Sequence, residues 1–377
     1  MARNVAARPT LLSIVMGRYF VTVSKNPYKI NREVIIRIRV QHSSHCCPAL
    51  AACSLTIQYA TIRKKAMEKK IRLALVAGGK SGEREVSLAG AKGVEQALDR
   101  EKYEVRRYDP ATDLARLAAD ADTIDMAFIL LHGPLGEDGT MQGFLDLLGI
   151  PYQGAGVLGS ALAMDKNLAK VLYKQAGLTV APWEMAQPED QQNPRRLLDR
   201  LSLPVVIKPI RQGSSLGMSL ARSEEELVQG LAKAFTFDSE VMVEQYVRGR
   251  EITGGVLGNK ELTALPLVEI IPGEEFAFFD YQAKYQVGAS REVCPAELEP
   301  EVTARAQAIA LAAHRALHLK GYSRTDMIVA DDGIYVLETN TIPGMTPTSL
   351  LPQAAAAHGL PFPALLDRLI ELALAKE

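Results

Sequence analysis

The stretch Tyr322-Ser-Arg-Thr-Asp-Met-Ile-Val-Ala-Asp-Asp-Gly-Ile-Tyr-Val-Leu-Glu-Thr-Asn340 constrains this chain more than any other. Two apolar strand-like runs flank Asp331-Asp332-Gly333, which reads as a three-residue hairpin loop with Gly333 in the left-handed position. With that loop, Ala330 opposes Ile334. Counting back, Asp326 faces Glu338 and Arg324 faces Asn340, all four on one sheet face because side chains alternate with a period of two. Like charges directly opposite each other are destabilising unless something positive sits between them. Two carboxylates and an amide oxygen converging on one spot suit Mg²⁺, a hard cation that takes few carboxylates and completes its shell with substrate phosphates. The hairpin reads as a metal platform.

Composition bounds the remainder. The 377 residues are 47% hydrophobic and 23% charged, enough for two or three domains with proper cores. A net charge of −1 hides an asymmetry: residues 1–66 carry 11 Lys/Arg against one acid, Glu33, so residues 67–377 carry a net of −11. An acidic body argues against nucleic acid as a partner, because phosphate backbones need clustered positive charge. Of the four cysteines only Cys294 lies in the body, so there is no disulfide framework, and Cys46-Cys47 lacks zinc-site spacing. A reducing compartment is implied.

From Ile71 the chain alternates strands and helices. Ile71-Arg-Leu-Ala-Leu-Val-Ala is a buried strand ending in Gly78-Gly79, residues 86–98 read as a helix, and Met126-Ala-Phe-Ile-Leu-Leu is a second buried strand ending at His132-Gly133. Runs this apolar suit a parallel sheet covered on both faces, so residues 67–163 are expected to form a doubly wound α/β lobe. Ligands in such lobes bind beyond the carboxyl ends of the strands. Two Gly-rich polar loops arrive there, Gly78-Gly-Lys-Ser-Gly-Glu-Arg-Glu-Val-Ser87 and His132-Gly-Pro-Leu-Gly-Glu-Asp-Gly-Thr140. The first lacks a full dinucleotide fingerprint, which argues against a nicotinamide cofactor. Glu83 is either a first-turn acid favoured by the helix dipole or a ligand-binding carboxylate. His132 and Glu137-Asp138 are equally open, since they could simply cap the helix near Thr140.

Residues 165–176 read as a short amphipathic helix with Leu168, Val171, Leu172 and Ala176 on its apolar face, and Lys166, taken alone, as a solvated charge. Leu203-Pro-Val-Val-Ile-Lys208 then leads into Gly213-Ser214-Ser215-Leu-Gly217 and a further strand. Such a turn offers backbone N–H groups and hydroxyls to phosphate oxygens. It is not a P-loop, because the lysine precedes the turn and a strand follows; an ordinary hairpin is the competing reading. Val241-Met-Val-Glu244-Gln-Tyr-Val247 closes the region as another strand.

Taken in order, Gly82-Glu-Arg-Glu-Val-Ser87, His132-Gly-x-x-Gly-Glu-Asp-Gly-Thr, Met164-Asp-Lys, Lys208-Pro-x-Arg-x-Gly-Ser-Ser-x-Gly, Asp280-Tyr-x-Ala-Lys-Tyr285, Arg324-x-Asp, Glu338-x-Asn-x-x-Pro-Gly-Met-Thr and Ser349-Leu350 form a set. Each motif is weak alone. Together the order resembles the ATP-grasp carboxylate–amine ligases, and more narrowly the D-alanine–D-alanine ligases, over essentially all of residues 67–377. The resemblance implies the α/β lobe of residues 67–163 as the substrate-binding part. A two-part α+β ATP-grasp clamp would follow it, a central subdomain at 164–250 and a C-terminal one at 251–377.

The resemblance also implies roles. Lys166 and Lys208 would neutralise ATP phosphates under the Gly213-Ser214-Ser215 amides, with Lys284 reaching the transferred phosphoryl group. Glu244, Tyr246 and Val247 would hold the adenine and Glu251 the ribose. Asp326, Glu338 and Asn340 would carry two Mg²⁺ or Mn²⁺ ions. Glu83, with His132 nearby, would hold the ammonium of a first D-alanine; Ser349 and Leu350 would place the carboxylate of a second. Arg324 and the Gly344 N–H would stabilise the tetrahedral oxyanion. Residues 276–288 would form a lid excluding water from an acyl phosphate. In it, Tyr285 is the residue that in this family marks a dipeptide product, where Phe marks acceptance of D-lactate. Glu83, Ser214, Arg324, Gly344 and Tyr285 form the implied catalytic set. Family habit implies a cytoplasmic homodimer serving peptidoglycan precursor synthesis, with no nucleic acid or membrane partner. The alternatives are a ligase of the same fold joining D-alanine to D-lactate or D-serine, and a non-catalytic nucleotide-binding protein.

Residues 1–66 differ from the rest. They are basic and acid-poor like a targeting peptide, with no clear periodicity joined to turn chemistry. Their apolar patches near residues 11–15 and 48–57 fall far short of the roughly 20 residues that span a bilayer. The extension has no counterpart in the resembled family, so we expect it to lie outside the native fold, with translation starting at Met67. Mass spectrometry of the native amino terminus checks this; a mature chain retaining Arg3 or Arg18 would overturn it.

Overall fold

β-branched and aromatic residues such as Ile14, Val15, Phe20 and Val21 favour extended backbone. In the unit Met1–Glu68, β1 (Leu11–Met16) pairs antiparallel with β2 (Tyr19–Ser24), Leu11 opposite Ser24 and Met16 opposite Tyr19. The sequence reading, which finds no strand periodicity there, misses this pair. The computed structural model describes residues 11–16, 19–24, 69–273 and 290–375. The expected lid at 276–288, with Lys284 and Tyr285, lies outside the described residues.

The second unit, Lys69–Glu377, begins with the expected parallel sheet. β3 (Ile71–Val76) is central, with β4 (Tyr103–Tyr108) and β5 (Met126–Ile129) on either side, all parallel. β5 is buried throughout, whereas the edge strand β4 buries only Tyr103 and Tyr108. Both are outer strands of the three, but β5 is flanked by a parallel bridge from Ala127 to Tyr152 and packs into the core clusters on both faces, whereas β4 is largely open to water. α1 (Arg84–Ala97) and α2 (Leu114–Ala119) follow β3 and β4. Then come α3 (Thr140–Leu147), α4 (Val157–Met164) and α5 (Lys166–Gln175).

Two antiparallel sheets complete the unit. β6 (Trp183–Ala186), α6 (Arg195–Leu198), β7 (Val205–Pro209), β8 (Ser219–Ala221), α7 (Glu224–Ala234) and β9 (Val241–Gln245) build a four-stranded sheet in the order β6-β9-β7-β8. Ser223 caps α7 through the Glu226 N–H, and Glu224–226 fill its first turn, where the helix dipole favours anions. β10 (Arg250–Gly258), β11 (Thr263–Ala264), β12 (Val268–Pro272) and β13 (Ser290–Val293) precede α8 (Pro300–Ala316). With β14 (Gly321–Ala330) and β15 (Gly333–Asn340) they give the order β13-β12-β10-β14-β15, β11 pairing with β10. α9 (Leu350–Ala357) and α10 (Phe362–Leu374) end the chain. No helix among the described residues is long and apolar enough to cross a membrane.

The hairpin carries a correction. Its loop is two residues, Asp331-Asp332, with Ala330 opposite Gly333, and Gly333 is not among the glycines of positive φ. The tip is therefore one residue out of step with the expected register. A bulge at Leu337 absorbs the offset, and beyond it Asp326 faces Glu338 and Arg324 faces Asn340 as expected. One extra residue on one strand reverses the side-chain parity beyond it. Accordingly Ile334 and Val336 are buried before the bulge and Thr339 after it.

A second correction concerns α5. Its buried face is Lys166, Ala169, Lys170 and Tyr173, while Leu168 and Val171 are each 46% exposed. The hydrophobic period points outward. The inward face is chosen by partners that only the folded chain supplies, among them Thr339, whose Oγ1 accepts the Tyr173 hydroxyl at 2.7 Å.

One core joins the parallel sheet to the end of the chain: Leu73, Leu75, Met126 and Phe128 cluster with Leu351, Leu365, Leu366 and Leu369. Close packing also explains Gly254-Gly255 in β10. A Cβ on Gly254 would lie 2.9 Å from Ala310 Cβ, and one on Gly255 2.7 Å from Leu351 Cδ1, so α8 and α9 close on the strand only because both are glycine. Leu369→Ala, which empties a fully packed position, is expected to lower the unfolding free energy by about 2–5 kcal/mol. Urea unfolding checks this; a negligible loss would mean that α10 does not cover the sheet.

Candidate active site

The bulged hairpin places Arg324, Asp326, Glu338 and Asn340 against β10. Arg324 binds Asp326 through both Nε and Nη2 at 2.9 Å, Thr253 Oγ1 donates to its Oδ1 at 2.7 Å, and Asn340 Nδ2 to its Oδ2 at 3.0 Å. Lys166 Nζ approaches Glu338 Oε2 at 3.4 Å and donates to the Gln212 carbonyl at 2.8 Å. Lys166 is thus a buried cation rather than the solvated charge that its position suggests in isolation. These cations are the positive partners that the facing acids require. Burial opposes the charge of Arg324, but Asp326 outweighs it and raises the guanidinium pKa.

Opposite the hairpin, the β7–β8 turn is strained. Ser214 and Ser215 sit at φ +48° and +58°, with Gly217 at +76°. Two non-glycine residues in left-handed conformation persist only where the surroundings over-determine them. Here Glu83 is one determinant, because the Ser214 hydroxyl donates to its Oε1. A Cβ on Gly213 would lie 2.5 Å from Glu83 Oε2, which explains the glycine. Glu83 stands at the N-cap of α1 but makes no side-chain cap bond, so the local helix-dipole role gives way to this long-range contact. Its neighbour Arg84 is structural: it pairs with Asp109 at 2.6 Å and, ahead of the backbone donors, holds that carboxylate at about 2.

The second Gly-rich loop divides its two acids. Asp138 accepts from Thr140 N at 2.9 Å and Leu135 N at 2.7 Å, the capping role. Glu137 instead turns inward and accepts from Gly133 N at 2.8 Å. Burial, with Glu83 nearby, pushes the Glu137 carboxyl up to about 8, so it carries its proton at neutral pH. Burial lowers the neighbouring His132 to about 4, so this imidazole is neutral there. Beyond β15, Ser349 Oγ accepts from Thr346 N at 3.1 Å and lies 3.0 Å from where a Gly344 Cβ would be, bringing Gly344 and Ser349 together at the start of α9 with Leu350.

A cavity of about 300 Å³ opens between the two antiparallel sheets. Its walls include Lys208, Ser215, Glu244, Tyr246, Val247, Glu251, Asp326 and Glu338, eight residues that the sequence associates with a nucleotide and metal. Apolar Val206, Met218, Ile270 and Leu337 complete the wall, a suitable surface for a planar base. Glu244 is 2% exposed and ion-paired to both Lys208 and Lys170. Burial would raise its pKa, but Lys170 and Lys208 outweigh it and hold the carboxyl below the usual range; burial lowers that of Lys170.

The sequence left the role of Glu137 open and gave no role to Lys170 or to the Arg250–Glu269 pair, whose two bonds at 2.7 Å border the cavity. The four-residue spacing of Lys166 and Lys170 was the available signal, since residues i and i+4 share a helix face. No group of three or more His, Cys, Asp or Glu among the described residues is arranged to hold a metal ion. Asp326 and Glu338 are facing carboxylates on neighbouring strands, hard oxygen donors of the kind that Mg²⁺ takes.

Residues 106–155 match the family model described as D-ala D-ala ligase N-terminus, and residues 172–371 that described as D-ala D-ala ligase C-terminus. The chain is 61% identical over 310 residues to a D-alanine–D-alanine ligase of Desulfotalea psychrophila, covering 82% of this chain and 96% of that protein. Among solved structures it is similar to the D-alanine–D-alanine ligase of Bacillus anthracis complexed with ATP. That match has a TM-score of 0.71 and 36% identity, over 81% of this chain and 97% of the other. The VanG D-Ala:D-Ser ligase of Enterococcus faecalis matches with a TM-score of 0.70 and 32% identity, over 81% of this chain and all of that one.

The raised carboxyl of Glu137 has a consequence for stability. A group whose folded pKa lies above its ordinary value of 4.5 binds its proton more tightly in the native state, so its contribution is lost as pH rises from that value through about 8. Wild-type protein is expected to lose stability between pH 6 and 8 relative to Glu137→Gln, by at most about 1.4 kcal/mol per pH unit. Thermal unfolding of both across this range reads the difference; parallel curves would refute a protonated Glu137.

Proposed function

The chain belongs to the D-alanine–D-alanine ligase family, and we propose that it joins two D-alanine molecules at the expense of ATP, for peptidoglycan precursor synthesis. The observation that carries this is the cavity between the two antiparallel sheets, lined by Lys208 and Ser215 from one sheet and by Asp326 and Glu338 of the β14–β15 hairpin from the other. We read residues 67–163 as the substrate lobe, 164–250 and 251–377 as the two halves of the ATP-grasp clamp, and 1–66 as an extension outside it.

In this reading Lys166 and Lys208 meet the nucleotide phosphates, with Ser215 and the left-handed turn supplying N–H donors. Glu244, Tyr246 and Val247 take the adenine and Glu251 the ribose. Asp326, Glu338 and Asn340 would hold two divalent cations, Mg²⁺ or Mn²⁺, which would supply positive charge to the nucleotide phosphates. A carboxylate is a poor electrophile, so one oxygen of the first D-alanine attacks the γ-phosphorus, releasing ADP and forming an acyl phosphate. The free amine of the second D-alanine then attacks that carbonyl, loses a proton and expels phosphate as the peptide bond forms. Arg324 and the Gly344 N–H face the oxyanion of that step. Glu83, held by Ser214, takes the first ammonium; neutral His132 stands beside it without repelling that cation. Ser349 and Leu350, at the start of α9, take the second carboxylate, where unsatisfied helix N–H groups favour an anion. By the family resemblance, Lys284 would meet the transferred phosphoryl group and Tyr285 would help keep water from the acyl phosphate.

We place the enzyme in the cytoplasm, where ATP is available, and read it as a homodimer. The exposed apolar side chains of Leu147, Val157, Leu158, Leu168 and Val171 on α3 to α5 suit contact with a second copy. A coupled assay of ADP release with D-alanine, D-lactate or D-serine as acceptor tests the function. D-alanine is expected to be preferred; dominance of D-serine or D-lactate would favour the alternative ligases, and no D-alanine-dependent ADP would defeat the reading. Asp326→Asn is expected to reduce kcat by about 100-fold or more at saturating Mg²⁺. Glu83→Ala should chiefly raise the KM for the first D-alanine, and an effect confined to ATP would contradict its role.

A further inference from the structure

The two lysines that share Glu244 differ in one respect. Lys208 lines the cavity, whereas Lys170 does not and has no exposed surface. Glu244 sits on β9 opposite Trp183 of β6 and Val206 of β7, with Lys170 on its Oε1 and Lys208 on its Oε2. Lys170 also stands over the Trp183 ring, 5.6 Å from its centre, and Trp183 Nε1 is anchored to Asn167 Oδ1 at 2.8 Å. The Lys170 ammonium is thus enclosed by a carboxylate and an aromatic face, with no path to a ligand. Lys208 can exchange Glu244 for a phosphate. If it were the sole counter-ion, its departure would strand a buried carboxylate, and breaking a buried pair that way is strongly unfavourable.

We propose that Lys170 is a positioning residue of the nucleotide site: it stays on Glu244 and keeps that carboxylate charged and aimed at the adenine amino group while Lys208 moves to the phosphates. This deepens the ligase reading and rests on its assignment of the cavity to ATP.

The test is Lys170→Met in the full chain, with ADP binding followed by calorimetry beside steady-state kinetics. The KM for ATP and the Kd for ADP are expected to rise by about tenfold or more, with kcat and the KM for D-alanine changed by no more than about twofold. In a Glu244→Gln background the same change should add no more than about twofold, because no charge remains to be held. That comparison keeps the test decisive if Lys170→Met alone fails to fold, since the double variant leaves no buried carboxylate without its cation. Nucleotide affinity unchanged in Lys170→Met, an equal loss in both backgrounds, or an equal rise in the KM for D-alanine would overturn the proposal. Wild-type protein that binds ADP but shows no D-alanine-dependent turnover would instead defeat the ligase reading and leave the binding comparison standing.

Discussion

Two carboxylates face each other across an antiparallel ribbon, and the structure around them is organised by that repulsion. Asp326 and Glu338 are a cross-strand pair of like charge, an arrangement that costs stability unless cations or donors surround it. Asp326 receives a bidentate guanidinium, a threonine hydroxyl and an amide; Glu338 receives Lys166. Each donor arrives on a different element. Thr253 comes on β10, which lies close under α8 and α9 because of its paired glycines, and Lys166 on the first turn of α5. An anionic ligand bringing its own divalent cations would meet the same acids, so the resting donors and the proposed reaction answer one electrostatic need.

The Glu83–Ser214 contact extends this organisation to the parallel sheet. Glu83 follows the strand β3, while Ser214 belongs to the turn between β7 and β8. A left-handed Ser-Ser pair is costly in isolation, and the contact shows where the compensating interaction comes from. The turn that is read as a phosphate cradle is therefore tied to the carboxylate that is read as the first substrate's anchor.

Legibility in the sequence varies with the range of the interaction. β3 from Leu73 onward and the whole of β5 are visible as apolar runs, because strand segments covered on both faces leave no polar alternation. The acid pairing is visible at the site end of the hairpin but not at its tip. A bulge shifts one strand by one residue, and neither Leu337 nor the Asp-Asp-Gly loop announces it. The face of α5 is misread for a related reason: hydrophobic periodicity ranks Leu168 and Val171 above two lysines, and only charged partners on other elements reverse that order. Glu137 and Asp138, adjacent and chemically similar, are inseparable until the loop assigns one to a cap and the other to the interior.

The order of motifs along the chain, by itself, determined the family and pointed to eight of the residues that line the cavity, because each motif pairs a residue type with a local conformation. Only the tertiary structure decided which charges are buried and which groups neutralise them. Those outcomes, Lys170 on Glu244, Lys166 on Glu338 and Arg324 on Asp326, depend on the summed field of groups from separate elements and on the water excluded between them. Electrostatic partners within a folded interior have no period and no fixed spacing, so a linear pattern carries little trace of them.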